Sequence, residues 1–173
     1  MKSLLKIIAL FAFTALIFSC KKSSTSTSGY YFKGNFNGSP KTFNTTVLAT
    51  KSNMGNGTYS LSIVGATTSE EAGLVLWSDQ DNFTAGTTYP ISALNGQTFN
   101  SLSYVSPLGS AAPSSLWNTT YDYGNAPESF SCTITEATST YVKGTFSGVL
   151  YMATDSAVVS KTVDNGEFYA KFY

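Results

Sequence analysis

From Tyr30 onward, apolar and polar side chains alternate with a period of two rather than 3.6. "TYSLSIVGA" (58–66) sets Tyr59, Leu61 and Ile63 on one side of an extended chain, with Ser60 and Ser62 on the other. "EFYAKFY" (167–173) places Phe168, Ala170 and Phe172 opposite Glu167, Tyr169, Lys171 and Tyr173. "GLVLW" (73–77) is a continuous apolar run, as expected of a central strand covered on both faces. Between these segments lie turn-forming clusters: "FNGSP", "NMGNG", "DQDN", "SPLGSAAP", "YGNAP" and "DNG". The pattern predicts strands near 30–37, 40–49, 57–66, 72–78, 98–106, 115–122, 128–136, 140–152 and 157–172. The fold class is therefore all-β: an antiparallel β-sandwich of about eight or nine strands, immunoglobulin-like, with a closed β-barrel as the alternative.

The first nineteen residues follow a different rule. Lys2 and Lys6 supply positive charge, and only Lys6 and Thr14 interrupt the apolar run from Leu4 to Phe18. That run is short for a bilayer span of about 20 residues and suits the core of a signal peptide. Residues 21–29, "KKSSTSTSG", contain no apolar side chain and lack the means to bury surface. A flexible tether of that length reaches roughly 17 Å on average. The organisation is thus a signal peptide (1–19), a tether (20–29) and one folded domain (30–173).

Composition narrows the chemistry. Without residues 1–19 the chain carries eight lysines against ten carboxylates, a net charge of −2. Nucleic-acid binding wants a basic stripe, and neither the charge nor the absence of arginine provides one. Histidine is absent too, which removes the commonest general base and the commonest metal ligand. No cofactor and no metal site is expected. "SDQDNFT" (78–84) spaces Asp79 and Asp81 as a calcium loop would, but Phe83 occupies the third ligand position and no glutamate closes the loop, so a turn is expected. Cys132 sits on the apolar face of "ESFSCTITEA" with Phe130 and Ile134, as a small core residue would. No catalytic residue is assigned. A carboxylate-pair hydrolase built on Asp122, Glu128 and Glu136 is the least favoured reading.

Two other stretches call for chemistry. "SLWNTTYDYGN" (115–125) interleaves aromatic rings with amides and a carboxylate, a combination suited to stacking on and hydrogen-bonding glycans. Its candidate ligand-binding residues are Trp117, Asn118, Tyr121, Asp122 and Tyr123, and the competing reading is an ordinary strand and turn. The second is an echo: "YFKGNFNG" (31–38) and "YVKGTFSG" (141–148) share Y-x-K-G-x-F-x-G, with Phe36 and Phe146 expected inside and glycines permitting bulges.

Ile17, Phe18, Ser19 and Cys20 resemble a bacterial lipobox, with an aliphatic residue at −3, a small residue at −1 and the cysteine at +1. The resemblance implies cleavage before Cys20 and a diacylglycerol thioether on its sulfur, with two or three acyl chains giving a stable anchor. Cys20 is then no disulfide partner. The domain itself resembles uncharacterised lipoproteins of Bacteroidota-type bacteria, through "GNFNG" (34–38), "AGTTYPIS" (85–92), "VKGTFSGVL" (142–150) and "NGEFYAKF" (165–172). That resemblance implies a sandwich and carries no catalytic residue. It also implies a lipid-anchored protein of the cell envelope, at the outer membrane. Lys21 and Lys22 stand where such bacteria often carry acidic export residues, so the periplasmic and surface faces both stay open. "DSA" (155–157) resembles their short O-glycosylation sequon, which implies a glycan on Ser156. The functional expectation is a non-enzymatic binding or structural module, with a carbohydrate-binding accessory lipoprotein as the alternative. The expected partners are the membrane, through the lipid, and a glycan or another envelope protein, with no nucleic acid.

Overall fold

The computed structural model describes residues 29–91, 93–94, 97–98, 100–108, 116–119, 129–153 and 158–173. Cys20, Tyr121, Asp122, Tyr123 and Ser156 lie outside the described residues. Among the described residues there are thirteen strands: β1 (Tyr31–Phe36), β2 (Ser39–Phe43), β3 (Thr46–Gly55), β4 (Thr58–Ala66), β5 (Glu71–Ser78), β6 (Thr88–Pro90), β7 (Ala93–Leu94), β8 (Gln97–Thr98), β9 (Ser101–Val105), β10 (Leu116–Asn118), β11 (Phe130–Ala137), β12 (Tyr141–Ala153) and β13 (Val158–Phe172).

The protein is an all-β sandwich. One layer runs β2-β1-β13-β12-β11-β6 and the other β3-β4-β5-β9-β10, while β7 and β8 pair separately. The layers are stitched on both sides. Lys171 and Phe172 pair in parallel with Leu48 and Ala49, and Asn118 of β10 pairs with Tyr151 of β12. Among the described residues the eleven-stranded ladder ends at β2 and β6, and each contains a proline, Pro40 and Pro90. Proline cannot donate to a further ladder, so both edges are blunted against pairing with another chain.

The count exceeds eight or nine because one predicted segment is subdivided and the short strands β6, β7 and β8 appear. Segment 40–49 is two strands in different layers, broken at Asn44 and Thr45, where the Thr45 amide bonds the Ala66 carbonyl at 3.0 Å. Two hairpins use two-residue loops, Asn37-Gly38 and Asn56-Gly57, with φ of 51° and 74°, and of 53° and 73°. Positive φ at both loop positions matches the twist of the flanking strands, which is why Asn-Gly serves there.

Between the layers lies an aromatic core. Phe32 stands 4.6 Å from Phe146 and 6.0 Å from Phe43, and Phe146 stacks over Phe168 at 6.4 Å, all measured between ring centroids. From the facing layer Leu61, Ile63, Leu74, Leu76 and Leu102 close on these rings, each essentially without exposure. β4 comes nearest at Gly65, beneath Phe32 and Phe43. Both phenylalanines of the echoed motif, Phe36 and Phe146, are buried here, and the register shifts beside each, between Lys33 and Asn35 and between Phe146 and Gly148. Cys132 is fully buried opposite Phe146, and burial pushes its thiol up to about 12, so it is chemically inert in the fold.

Candidate functional site

Trp117 marks a cluster of polar and aromatic groups between the layers. It stands in β10 directly opposite Tyr104 of β9, on the inner face of its layer. From the other layer, Lys161 of β13 lays its ammonium over both rings, 4.4 Å from the Trp117 centroid and 4.9 Å from that of Tyr104. Lys41 of β2 approaches Tyr104 as well, at 5.4 Å, and bonds both oxygens of Glu70 at 2.8 and 3.0 Å. Tyr104 and Ser106 donate their hydroxyls to Glu70 Oε1, at 2.6 and 3.0 Å.

The electrostatics follow from this crowding. Burial alone would raise the Glu70 carboxyl, but the bonds from Lys41, Tyr104 and Ser106 outweigh it and hold the pKa below the usual carboxylate range. Burial would likewise lower Lys41, and its bonds to Glu70 and Tyr104 raise it instead. Among the described residues nothing offers Lys161 such a bond, and burial, helped by the nearby charge of Lys41, lowers its pKa. Glu71 is raised by burial, but it lies in register with Val105 and Ala66 on the outer face. Glu70 and Glu71 therefore do not share a cleft as an acid and a base would. Glu70 itself is committed as an acceptor. What the cluster presents is one unit of net positive charge set against aromatic rings, with cation–π contacts joining the two layers.

The residues singled out in the sequence are distributed as follows. Asn118 follows Trp117 in the strand and leaves on the outer face, opposite Ser103, so neighbours in sequence serve opposite sides. Glu136 is held on the far layer by Lys143 at 2.7 Å and by the Tyr141 hydroxyl. Asp122 and Glu128 lie outside the described residues, so Glu136 is the only member of that trio whose setting is described. In the 78–84 turn the Gln80 amide bonds Ser78 Oγ at 3.0 Å, and Phe83 is buried in the core.

A second feature lies on the outer face of the β2-β1-β13-β12-β11-β6 layer. There Thr88, Thr133, Thr145 and Glu167 fall in one cross-strand row, and Thr88 and Thr133 join their hydroxyls at 2.9 Å. Beside this row runs a shallow, open groove of about 330 Å³, lined by Ser131, Thr133, Thr145, Ser147, Asn165 and Glu167. Glycine makes the dip: a Cβ on Gly166 would run into the Phe146 carbonyl oxygen.

Sequence reasoning found Trp117 and missed Lys41, Glu70, Tyr104 and Lys161. Three of these come from separate strands and Glu70 from the loop before β5, and no local motif joins them. One signal was there. Lys41 and Lys161 share their strand parity with Phe43 and Val163, so alternation assigns both lysines to core-facing positions. A lysine at such a position must find an acid, a ring or water. No protein family matches this chain, and neither do the curated proteins or the solved structures.

Proposed function

We propose that this chain is an envelope lipoprotein anchored at the outer membrane through lipid on Cys20, with its sandwich acting as a non-enzymatic binding or structural module. One observation carries the reading: an apolar leader, Ile17-Phe18-Ser19-Cys20 and a wholly polar stretch stand in sequence directly before a first strand that begins at Tyr31. An extracytoplasmic domain tethered by lipid has this order of parts. In cells fed labelled palmitate, the wild-type protein is expected to take up label, and Cys20→Ala to take up none. Equal labelling of the two proteins would end the reading.

A carbohydrate-binding module is the second reading, favoured by the open groove of hydroxyls, amide and carboxylate between β11, β12 and β13. Trp117 contributes less to it than its sequence context promised, because one of its faces already carries the Lys161 ammonium. Binding to soluble arabinoxylan or starch on affinity gels is expected to weaken in a Thr145→Val, Ser147→Ala double variant. Retardation unchanged by that pair would remove the groove as a glycan site.

A further inference from the structure

The echoed Y-x-K-G motif has a consequence on the surface as well as in the core. β1 and β12 flank β13, both antiparallel to it, so the two copies lie on either side of one strand. Their tyrosines converge on Tyr169. Tyr31 meets its edge at 6.2 Å, Tyr141 meets it at 5.2 Å, and Tyr30 packs at 4.6 Å. Their lysines lie over the same rings: Lys33 is 4.8 Å from Tyr31, and Lys143 is 4.8 Å from Tyr169 and 5.2 Å from Tyr141. Lys171, exposed, stands opposite Tyr141. Two carboxylates border the patch, Glu167 at 3.0 Å from Lys33 and Glu136 at 2.7 Å from Lys143.

This face is where the domain begins. Ten residue steps from Cys20 to Tyr30 span at most about 36 Å, however the intervening chain is arranged. Charge is distributed accordingly. Among the described residues, Lys33, Lys143 and Lys171 belong to this face, against Glu136 and Glu167, which gives +1. The other described residues carry three lysines, Lys41, Lys51 and Lys161, against five carboxylates, or −2. Tyrosine is suited to the boundary between headgroups and acyl chains, and lysine to anionic headgroups.

We propose that the face formed by Tyr30, Tyr31, Tyr141 and Tyr169 with Lys33, Lys143 and Lys171 lies on the anionic surface of the bilayer. The placement of that face near lipid rests on the lipidation of Cys20. The aromatic row sits at headgroup depth, the lysines contact lipid phosphates, and the domain is held in one orientation instead of swinging on its tether. Lys161 and Trp117 then face away from the membrane, since Lys161 leaves β13 on its inner side, toward Trp117 and Tyr104 of the other layer.

The test is a lysine-acetylation footprint read by mass spectrometry on the full mature protein. It is compared in detergent and in vesicles of phosphatidylcholine with about one-third phosphatidylglycerol, a composition chosen for its negative surface potential. In the vesicles, labelling of Lys33, Lys143 and Lys171 is expected to fall at least threefold, with Lys41 and Lys161 unchanged and half-molar salt restoring the signal. Equal labelling of the three lysines in both settings would overturn the proposal, as would protection by soluble starch or arabinoxylan without protection by vesicles. The mass of the N-terminal peptide reports lipidation separately. If that peptide carries no lipid, the anchoring reading fails, and the same footprint with vesicles added to the unlipidated protein still decides whether this face binds them.

Discussion

A chain ending at Glu167 is expected to show no cooperative unfolding transition. The six residues removed contribute Phe168 and Ala170 to the core, where neither is more than 1% exposed. Phe168 stacks on Phe146, and losing one buried phenylalanine typically costs about 3–5 kcal/mol. That alone approaches the whole stability of a domain, about 5–15 kcal/mol. The same residues pair with three other strands. Phe168 and Tyr169 face Phe32 and Tyr31 of β1, four residues face the start of β12, and Lys171 and Phe172 form the seam with β3. Truncation therefore opens the junction between layers as well as the core. Circular dichroism on heating is the measurement, and a melting temperature equal to that of the full chain would contradict the expectation.

The second large effect comes from a single methyl group. Gly65→Ala is expected to destabilise the domain by about 3 kcal/mol, at the upper end of the usual cost of overpacking. A Cβ at position 65 would collide with the Phe32 Cβ and stand 3.0 Å from that of Phe43. Phe32 and Phe43 are themselves fully buried and wedged against Phe36, Phe146 and Tyr104, so they have little room to retreat. Gly38→Ala is the matched control. Its Cβ would meet open space, and the cost there is only that of a positive φ of 74°, about 1–2 kcal/mol. Urea unfolding compares the two directly. The Gly65 variant should lose midpoint without change in slope, and a loss no greater than that of Gly38→Ala would refute the close-approach argument.

Period-two alternation was enough to find the long strands, because a one-residue slip would turn every core residue of such a strand to solvent. It could not find the corner between β2 and β3. Positions 43, 45, 47 and 49 keep the same parity straight through the break, with Phe43 buried in one layer and Val47 and Ala49 buried in the other. A change of layer that preserves parity leaves no trace in the pattern. β6 was hidden for another reason, since three residues, Thr88–Pro90, are too few to alternate measurably. The echoed motif was legible as two inward phenylalanines with bulges beside them. Its outward tyrosines and lysines were not legible as one patch, because that requires knowing that β1 and β12 share β13 as a neighbour. Lys161 over Trp117 failed in the same way: both residues are visible in sequence, and only the stitching of the two layers brings them together.

The position of β1 also has a mechanical consequence. It is hydrogen-bonded on both sides, to β2 and to β13, and the chain enters it at Tyr31. With the lipid anchor proposed on Cys20, a partner gripping the domain near Lys161, at the other end of β13, would pull against the chain upstream of Tyr31. The tension would then run along the strands, across ladder bonds that lie perpendicular to it. Loaded in that direction, the bonds of β1 share the force and must fail together, whereas peeling would break them one at a time.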